Sequence, residues 1–240
     1  MPDTAPRLSV VIPMRNEAGN AAPLVAEIEA ALADIPHEIL CVDDGSTDGT
    51  AAELLDAAQT APLIVLQHAR SCGQSAAIVS GVRAARGAWI ATLDGDGQND
   101  PADIPRLLAR AEAEGGAILV VGHRVTRRDS WLKRRSSRIA NAVRARLLGD
   151  RTPDTGCGLK LFPRALFLEL PAFDHMHRYL PALVLRAGGR VESEPVNHRP
   201  RLRGRSNYGT LDRLAVAFAD LVGVMWLMRR WKRPEARRLG

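Results

Sequence analysis

The sequence predicts an α/β fold in which helices cover both faces of a mostly parallel central sheet. Two observations predict it. Short apolar runs rich in Val, Ile and Leu alternate with Ala-rich helical patterns, the signature of repeated βαβ units. The polar residues gather at the C-terminal ends of those runs, the edge where open α/β sheets bind ligands.

The elements follow in order. LSVVIP at 8–13 reads as a buried strand, and 20–33 as an amphipathic helix. EILCVDDG at 38–45 is a second strand ending in two carboxylates. Residues 50–59 are helical, with Ser46 or Thr47 placed to cap them. LIVLQH at 63–68 is a third strand and 74–85 a third helix. WIATLDGD at 89–96 is a fourth strand, again ending in carboxylates. A helix at 101–114 and a strand at 117–124 complete this half. The pattern then changes. Residues 131–148 form a basic amphipathic helix, with Leu132, Ile139, Val143 and Leu147 on its apolar side. A strand at 159–162, a helix at 176–187 and a strand at 190–198 follow. A basic loop at 199–208 leads to a last helix at 211–231 and a frayed basic tail. One domain over 1–230 is expected, with an 8–124 half, a 125–210 half, the 211–231 helix and a 232–240 tail.

The formal charge of +6 is uneven. Residues 124–151 carry ten Lys or Arg against Asp129 and Asp150, and 199–240 carry eleven against Asp212, Asp220 and Glu235. Such clusters fit an anionic partner: phosphate, an acidic membrane surface or nucleic acid. They also fit solvated helix faces. Cys41, Cys72 and Cys157 are too few and too scattered for a disulfide framework or a zinc site, and Cys41 reads as core. No charged stretch followed by an apolar one opens the chain, so no signal peptide is expected. The longest apolar candidate for a span, 214–228, is short and contains Asp220. These features suggest a cytoplasmic location. His68, His123 and His175 show no ligand spacing and read as structural.

Asp94-Gly95-Asp96-Gly97-Gln98 carries the most chemistry. Two carboxylates at the exit of a parallel strand suit Mg²⁺ or Mn²⁺, which completes its shell with phosphates and water. The glycines permit close backbone approach to a ligand. In Val42-Asp43-Asp44 the carboxylates reach the same edge, and Asp44 suits neutral donors on a base or ribose. Helix capping by Ser46, Thr47 and Asp48 is the plainer reading of the stretch that follows. No GxGxxG follows the first strand, which argues against a nicotinamide-linked oxidoreductase.

VVIPMRNE, VDDGSTDGT, GQSAAIVSGVRAARG, TLDGDGQNDPADIP, DTGCGLKLFPR and HRPRLRGRSNYG occur in an order that resembles the family 2 glycosyltransferases. The chain is most similar to the polyprenyl-phosphate branch, the dolichol-phosphate mannosyltransferases and undecaprenyl-phosphate sugar transferases. The resemblance covers about residues 8–230 and implies a GT-A fold. It places Pro13, Arg15 and Glu17 at the first nucleotide-contacting turn, with Asp43 beside Asp44, the base-binding aspartate. It makes Asp94 and Asp96 the DxD pair flanking Gly95, with Gln98 joining the metal shell. Arg124 would lie near the transferring phosphates, and Arg201, Gly204, Ser206 and Asn207 on a loop closing over the donor. Three positions depart from the family's pattern: Arg15 where Tyr is frequent, Gly97 where Leu is, and Asn207 where Lys is. Arg203 and Arg205 would supply the charge that Asn207 lacks.

The acceptor is read from one exchange. Hydroxyl-acceptor members often carry a Glu-Asp pair before a helix ending in Arg and a Gly turn. Here His177-Arg178 stands in that place. A hydroxyl must lose a proton as it attacks and needs a base. A phosphate monoester, with a second pKa near 6, is already a nucleophile and needs positive charge. The acceptor-phosphate set is therefore Arg124, Lys133, Arg134, His177, Arg178, Arg201, Arg203 and Arg205. The expected reaction is inverting transfer from a nucleotide diphosphate sugar, GDP-mannose or a UDP-sugar, to a polyprenyl phosphate. Asp94, Asp96, Arg124 and Arg201 would be catalytic. Trp226 and Trp231 beside Arg229, Arg230, Lys232 and Arg233 suit the membrane interface, so peripheral attachment to the inner face is expected. Core packing or a dimer seam would equally account for that helix. A membrane-protein partner or a homodimer stays open. The alternatives are a sugar-hydroxyl acceptor on the same fold and a non-enzymatic basic module binding membrane or nucleic acid, the latter leaving the carboxylate edge unexplained.

Overall fold

The computed structural model describes residues 5–124, 145–150, 152–200 and 210–230. Within them β1 (Leu8–Met14), β2 (His37–Asp43), β3 (Leu63–Gln67), β4 (Trp89–Thr92), β5 (Ile118–Arg124), β6 (Lys160–Pro163) and β7 (Arg190–Val196) form one sheet. Its order is β3-β2-β1-β4-β6-β5-β7. Every described pairing is parallel except those of β6, which runs antiparallel to both β4 and β5. Two reversals around β6 leave β4 and β5 pointing the same way. The C-terminal ends of β1, β2, β4 and β5 therefore open on one edge.

The helices are α1 (Ala21–Ala31), α2 (Thr50–Ala57), α3 (Gln74–Ala84), α4 (Ile104–Glu114), α5 (Arg164–Leu168), α6 (Leu180–Arg186) and α7 (Thr210–Arg229). Strand side chains alternate between two cores. Val10, Ile12, Ile39, Cys41, Ile118 and Val120 pack on one face with α1, α2 and α4. Val11, Leu40, Ile90, Leu119 and Val121 pack on the other with α3, α5, α6 and the inner side of α7. Burial on both faces explains why the strands read as continuous apolar runs. Cys41 is fully buried, and burial pushes its thiol up to about 12. α3 lies close on β1 because Gly81 has no side chain, and a Cβ there would overlap Val11. That approach sets Gln74 and Ser75, at the start of α3, beside the open edge.

Two expected elements differ. The strand at 89–96 ends at Thr92, and Asp94 and Asp96 lie in the following turn. The helix at 176–187 splits into a 3-10 turn, Met176–Arg178, and α6. Pro181 sits in the first turn of α6, where its missing N–H costs no hydrogen bond. Of the basic helix at 131–148, only its last turn, 145–148, falls among the described residues. In α7, Leu221, Val224, Met225 and Met228 meet the core, while Phe218, Val222 and Trp226 face outward in an i, i+4, i+8 row. Among the described residues no helix is long and apolar enough to cross a membrane.

Candidate active site

The turn after β1 is stapled to the loop after β2. Asn16 N–H donates to Ser46 Oγ (2.9 Å), Glu17 N–H to Thr50 Oγ1 (2.9 Å) and Ala18 N–H to Asp48 Oδ2 (3.2 Å). Ser46 and Thr47 therefore do not cap α2. Its first turn is served locally by Asp48, which accepts from Thr50 N–H at 3.0 Å. Ser46 is spent across the loop, fixing the backbone from which Arg15 and Glu17 reach the cleft.

Asp44 is a hub. Its Oδ1 accepts from His68 Nδ1 and Cys72 N–H, both at 2.7 Å, and its Oδ2 from Ser71 Oγ (2.8 Å) and Gly73 N–H (2.9 Å). Burial pushes this carboxyl upward, but these bonds, led by Cys72 N–H, outweigh it and hold its pKa below the ordinary range. All four acceptor positions are filled by the protein. A nucleotide base could bond Asp44 only by displacing one donor, and Ser71 lines the same cleft. Asp43, expected at the donor, is instead fully buried, accepting from Ser46 N–H and Gln67 Nε2. Alternation along β2 turns it away from its neighbour. Asp44, His68 and Cys72 also bring three metal-type ligand atoms within 4.8 Å of one another. That cluster is a poor metal site: Asp44 is saturated, and His68 Nε2 pairs with Ser80 Oγ at 2.9 Å.

Past β4 the chain turns through Asp94 and Asp96. Asp96 accepts from Gln98 N–H (3.1 Å), and Asn99 Oδ1 from Asp94 N–H (3.3 Å). Gln98 gives its amide N–H to Arg199 O (3.3 Å), which leaves its amide oxygen available. Arg199 N–H returns to Gln98 O (2.9 Å), so the root of the expected basic loop sits against this turn. Gln74 Nε2 donates to Asp94 Oδ1 at 2.8 Å. Gly158 lies directly behind, where a Cβ would overlap the Asp94 carboxylate. Burial and the charge of Asp96 both push Asp94 above the usual carboxylate range, against the pull of Lys160, Gln74 and Arg124.

Two clefts meet at this pair. One, of about 300 Å³, is lined by Pro13, Arg15, Glu17, Asp44, Asp94 and Asp96 among others. The second, of about 320 Å³, is lined by Asp94, Thr155, Lys160, His177, Arg178 and their neighbours. Gln74 and Asp94 belong to both. Arg124 is held by Asp154 through Nε–Oδ2 (2.6 Å) and Nη2–Oδ1 (2.7 Å). Burial lowers the guanidinium's pKa, but Asp154 outweighs it and holds the pKa above the ordinary arginine value. Lys160 is 3% exposed and donates to Cys157 O. Burial lowers its pKa, opposed by Cys157, Asp94 and Asp154.

His177 corrects an expectation. It was assigned as a cation for phosphate, yet burial first, then the charges of Lys160 and Arg178, push its pKa to about 3. Ser75 Oγ accepts from His177 N–H (3.3 Å) and shares a 2.7 Å hydrogen bond with Nδ1, whose direction follows the ring's tautomer. The ring is neutral at neutral pH. Because the folded pKa lies below the ordinary 6.5, its contribution to stability is complete above pH 6.5. It is lost as pH falls from 6.5 toward 3, with a slope of up to about 1.4 kcal/mol per pH unit. His177→Asn should therefore flatten the acid limb of a urea-melt series, and identical slopes in both proteins would contradict this.

Lys133, Arg134, Arg201, Arg203, Arg205, Ser206 and Asn207 lie outside the described residues. The structure brings together Pro13, Arg15, Glu17, Asp44, Gly95 and the DxD pair on the first cleft, and Arg178 joins Asp94 on the second. Gln74, Asp154, Gly158 and Lys160 were missed as site residues. Three of them stand in DTGCGLKLFPR, a segment whose acid and lysine gave the only signal.

The sequence profile of glycosyl transferase family 2 matches residues 9–170. Dodecaprenyl-phosphate galacturonate synthase of Rhizobium johnstonii is 37% identical over 234 residues, 95% of this chain and 69% of that protein. Undecaprenyl-phosphate 4-deoxy-4-formamido-L-arabinose transferase of Pseudomonas fluorescens is 35% identical over 222 residues, 91% of this chain and 64% of that protein. The chain thus spans about two-thirds of the length of these relatives. Glucosyl-3-phosphoglycerate synthase from Mycobacterium tuberculosis, solved with phosphoglyceric acid, superposes with a TM-score of 0.66 at 19% identity, covering 93% of this chain and 80% of that one. The same enzyme solved with Mn²⁺ and UDP-glucose gives 0.63 at 18% identity, covering 93% and 79%. These superpositions establish the GT-A architecture, and the sequence matches establish that the chain belongs to glycosyl transferase family 2.

Proposed function

We propose that the chain transfers a sugar from a nucleotide diphosphate to the phosphate of a polyprenyl lipid. The observation that carries this reading is the lining of the second cleft. Among its described residues Asp94 is the only carboxylate, and His177 is too weak a base to take a proton at neutral pH. Among these described residues a hydroxyl acceptor would find no general base apart from Asp94, which the donor's metal would claim. An ionised phosphate needs none, and Arg178 and Lys160 offer it positive charge. The relatives whose names specify dodecaprenyl and undecaprenyl phosphates support the same acceptor class.

The donor belongs in the first cleft, its nucleotide toward Arg15, Glu17 and Ser71 and its diphosphate toward Asp94 and Asp96. The residues fit a divalent ion: two carboxylates, with Asp96 raising the proton affinity of Asp94, and Gln98 with a free amide oxygen. Bound there, Mg²⁺ or Mn²⁺ would neutralise the leaving diphosphate. The chain's own residues do the rest. Gln74 orients Asp94, Asp154 fixes the plane of Arg124, and the acceptor oxygen approaches the anomeric carbon from the second cleft. Catalysis on this plan is positioning and electrostatics around an oxocarbenium-like transition state. The outward row Phe218, Val222 and Trp226, followed by Arg229 and Arg230, suits peripheral attachment to an anionic membrane.

A transfer assay tests the reading. UDP- and GDP-sugars with Mg²⁺ or Mn²⁺ are offered either undecaprenyl phosphate or a panel of sugar-hydroxyl acceptors. Product on the lipid phosphate is expected. Transfer to hydroxyls with none to the lipid would replace it with the polysaccharide-synthesis alternative.

A further inference from the structure

We propose that Lys160 is the floor of the acceptor-phosphate site, receiving the lipid's phosphate in the second cleft with Arg178 at its mouth. The assignment rests on the polyprenyl-phosphate reading above. It adds a residue that the spacing of basic clusters did not reveal, since Lys160 stands alone at the start of β6 inside an apolar run.

The geometry points there in three ways. First, an ammonium carries three donors. Among the described residues the only hydrogen bond of Lys160 is to Cys157 O, so two donors remain for a ligand in the cleft it lines. Buried donors without acceptors are costly, and an incoming oxyanion repays that cost. Second, Arg124 is held by Asp154 through two short bonds and does not line this cleft, whereas Lys160 and Arg178 do. Third, the cleft shares Asp94 and Gln74 with the donor cleft, so a phosphate on Lys160 adjoins the donor cleft at Asp94. A single displacement needs that arrangement. A phosphate oxygen forms the new bond to the anomeric carbon as the bond to the nucleoside diphosphate breaks, and the diphosphate leaves with the electron pair.

The rival account makes Lys160 a purely structural counter-charge for Asp94 and Asp154. Lys160→Met keeps the length and removes the charge. If Lys160 holds the acceptor, KM for a short polyprenyl phosphate rises on the order of 30- to 100-fold. Metal-dependent binding of the nucleoside diphosphate, measured by calorimetry, should fall by far less than the affinity for acceptor. Lys160→Arg should recover part of the acceptor affinity. An unchanged acceptor KM overturns the assignment, as does a loss of donor affinity matching the loss for acceptor. Should Lys160→Met not fold, inhibition of the wild-type chain by inorganic phosphate decides. Inhibition competitive with the lipid and not with the donor supports the site, and competition with the donor alone overturns it. A wild-type chain that never glycosylates a lipid phosphate sinks the reading beneath and this assignment together. Transfer by wild type with an unaltered acceptor KM in the variant sinks only the assignment.

Discussion

Asp96→Ala is expected to lower the transfer rate by roughly 10³-fold or more while leaving the fold intact. Asp96 sits in a turn outside β4, so its removal opens no hole in either core. What it removes is half of the negative charge that the donor's metal would meet. The carboxyl of Asp94, held high by burial and by Asp96, should fall once its neighbour is gone. Single-turnover rates with saturating Mn²⁺ and a circular dichroism spectrum check both halves of the expectation. Turnover close to wild type would remove the metal from its proposed place.

Gly158→Ala should cost about 10²-fold in rate through geometry alone. The new methyl would occupy the space of the Asp94 carboxylate, which is held between Gln74 and the chain behind it. Moving a ligand by about an ångström is enough for a loss of that size. Overpacking at this point should also remove about 1–3 kcal/mol of stability. Gly156→Ala is the internal control. Its Cβ would first meet Arg124 Nη2, at 3.4 Å, an ordinary contact. Denaturant midpoints and rates for both variants should separate them clearly, and equal losses would show that the backbone rather than Asp94 is being disturbed.

Much of this was legible in the sequence because both signals are local. Alternating apolar runs encode two-sided strands in a mostly parallel sheet. The DxD pair announced itself by residue type at a strand exit. What stayed hidden depends on contacts between distant segments. Lys160 reads as an odd charge in a core strand until β6 is seen to pair Lys160 with Thr92 beside the carboxylates. Ser46 looks like a helix cap until the turn after β1 takes its oxygen. His177 looks like a cation until burial neutralises it. Asp43 and Asp44 are adjacent in sequence, yet the pleat gives one to the interior and the other to the cleft. None of these outcomes is encoded in spacing alone.

Among the described residues the two chambers draw on different stretches of chain and share Gln74 and Asp94 alone. If the two clefts hold acceptor and donor as proposed, mutational drift in 155–160 or 177–180 would retune what is glycosylated without rewriting how the leaving group is gripped. A lineage could inherit one grip and explore many recipients, and a designer could graft the recipient wall from a cousin. Changes at Gln74 or Asp94 would be felt on both sides at once.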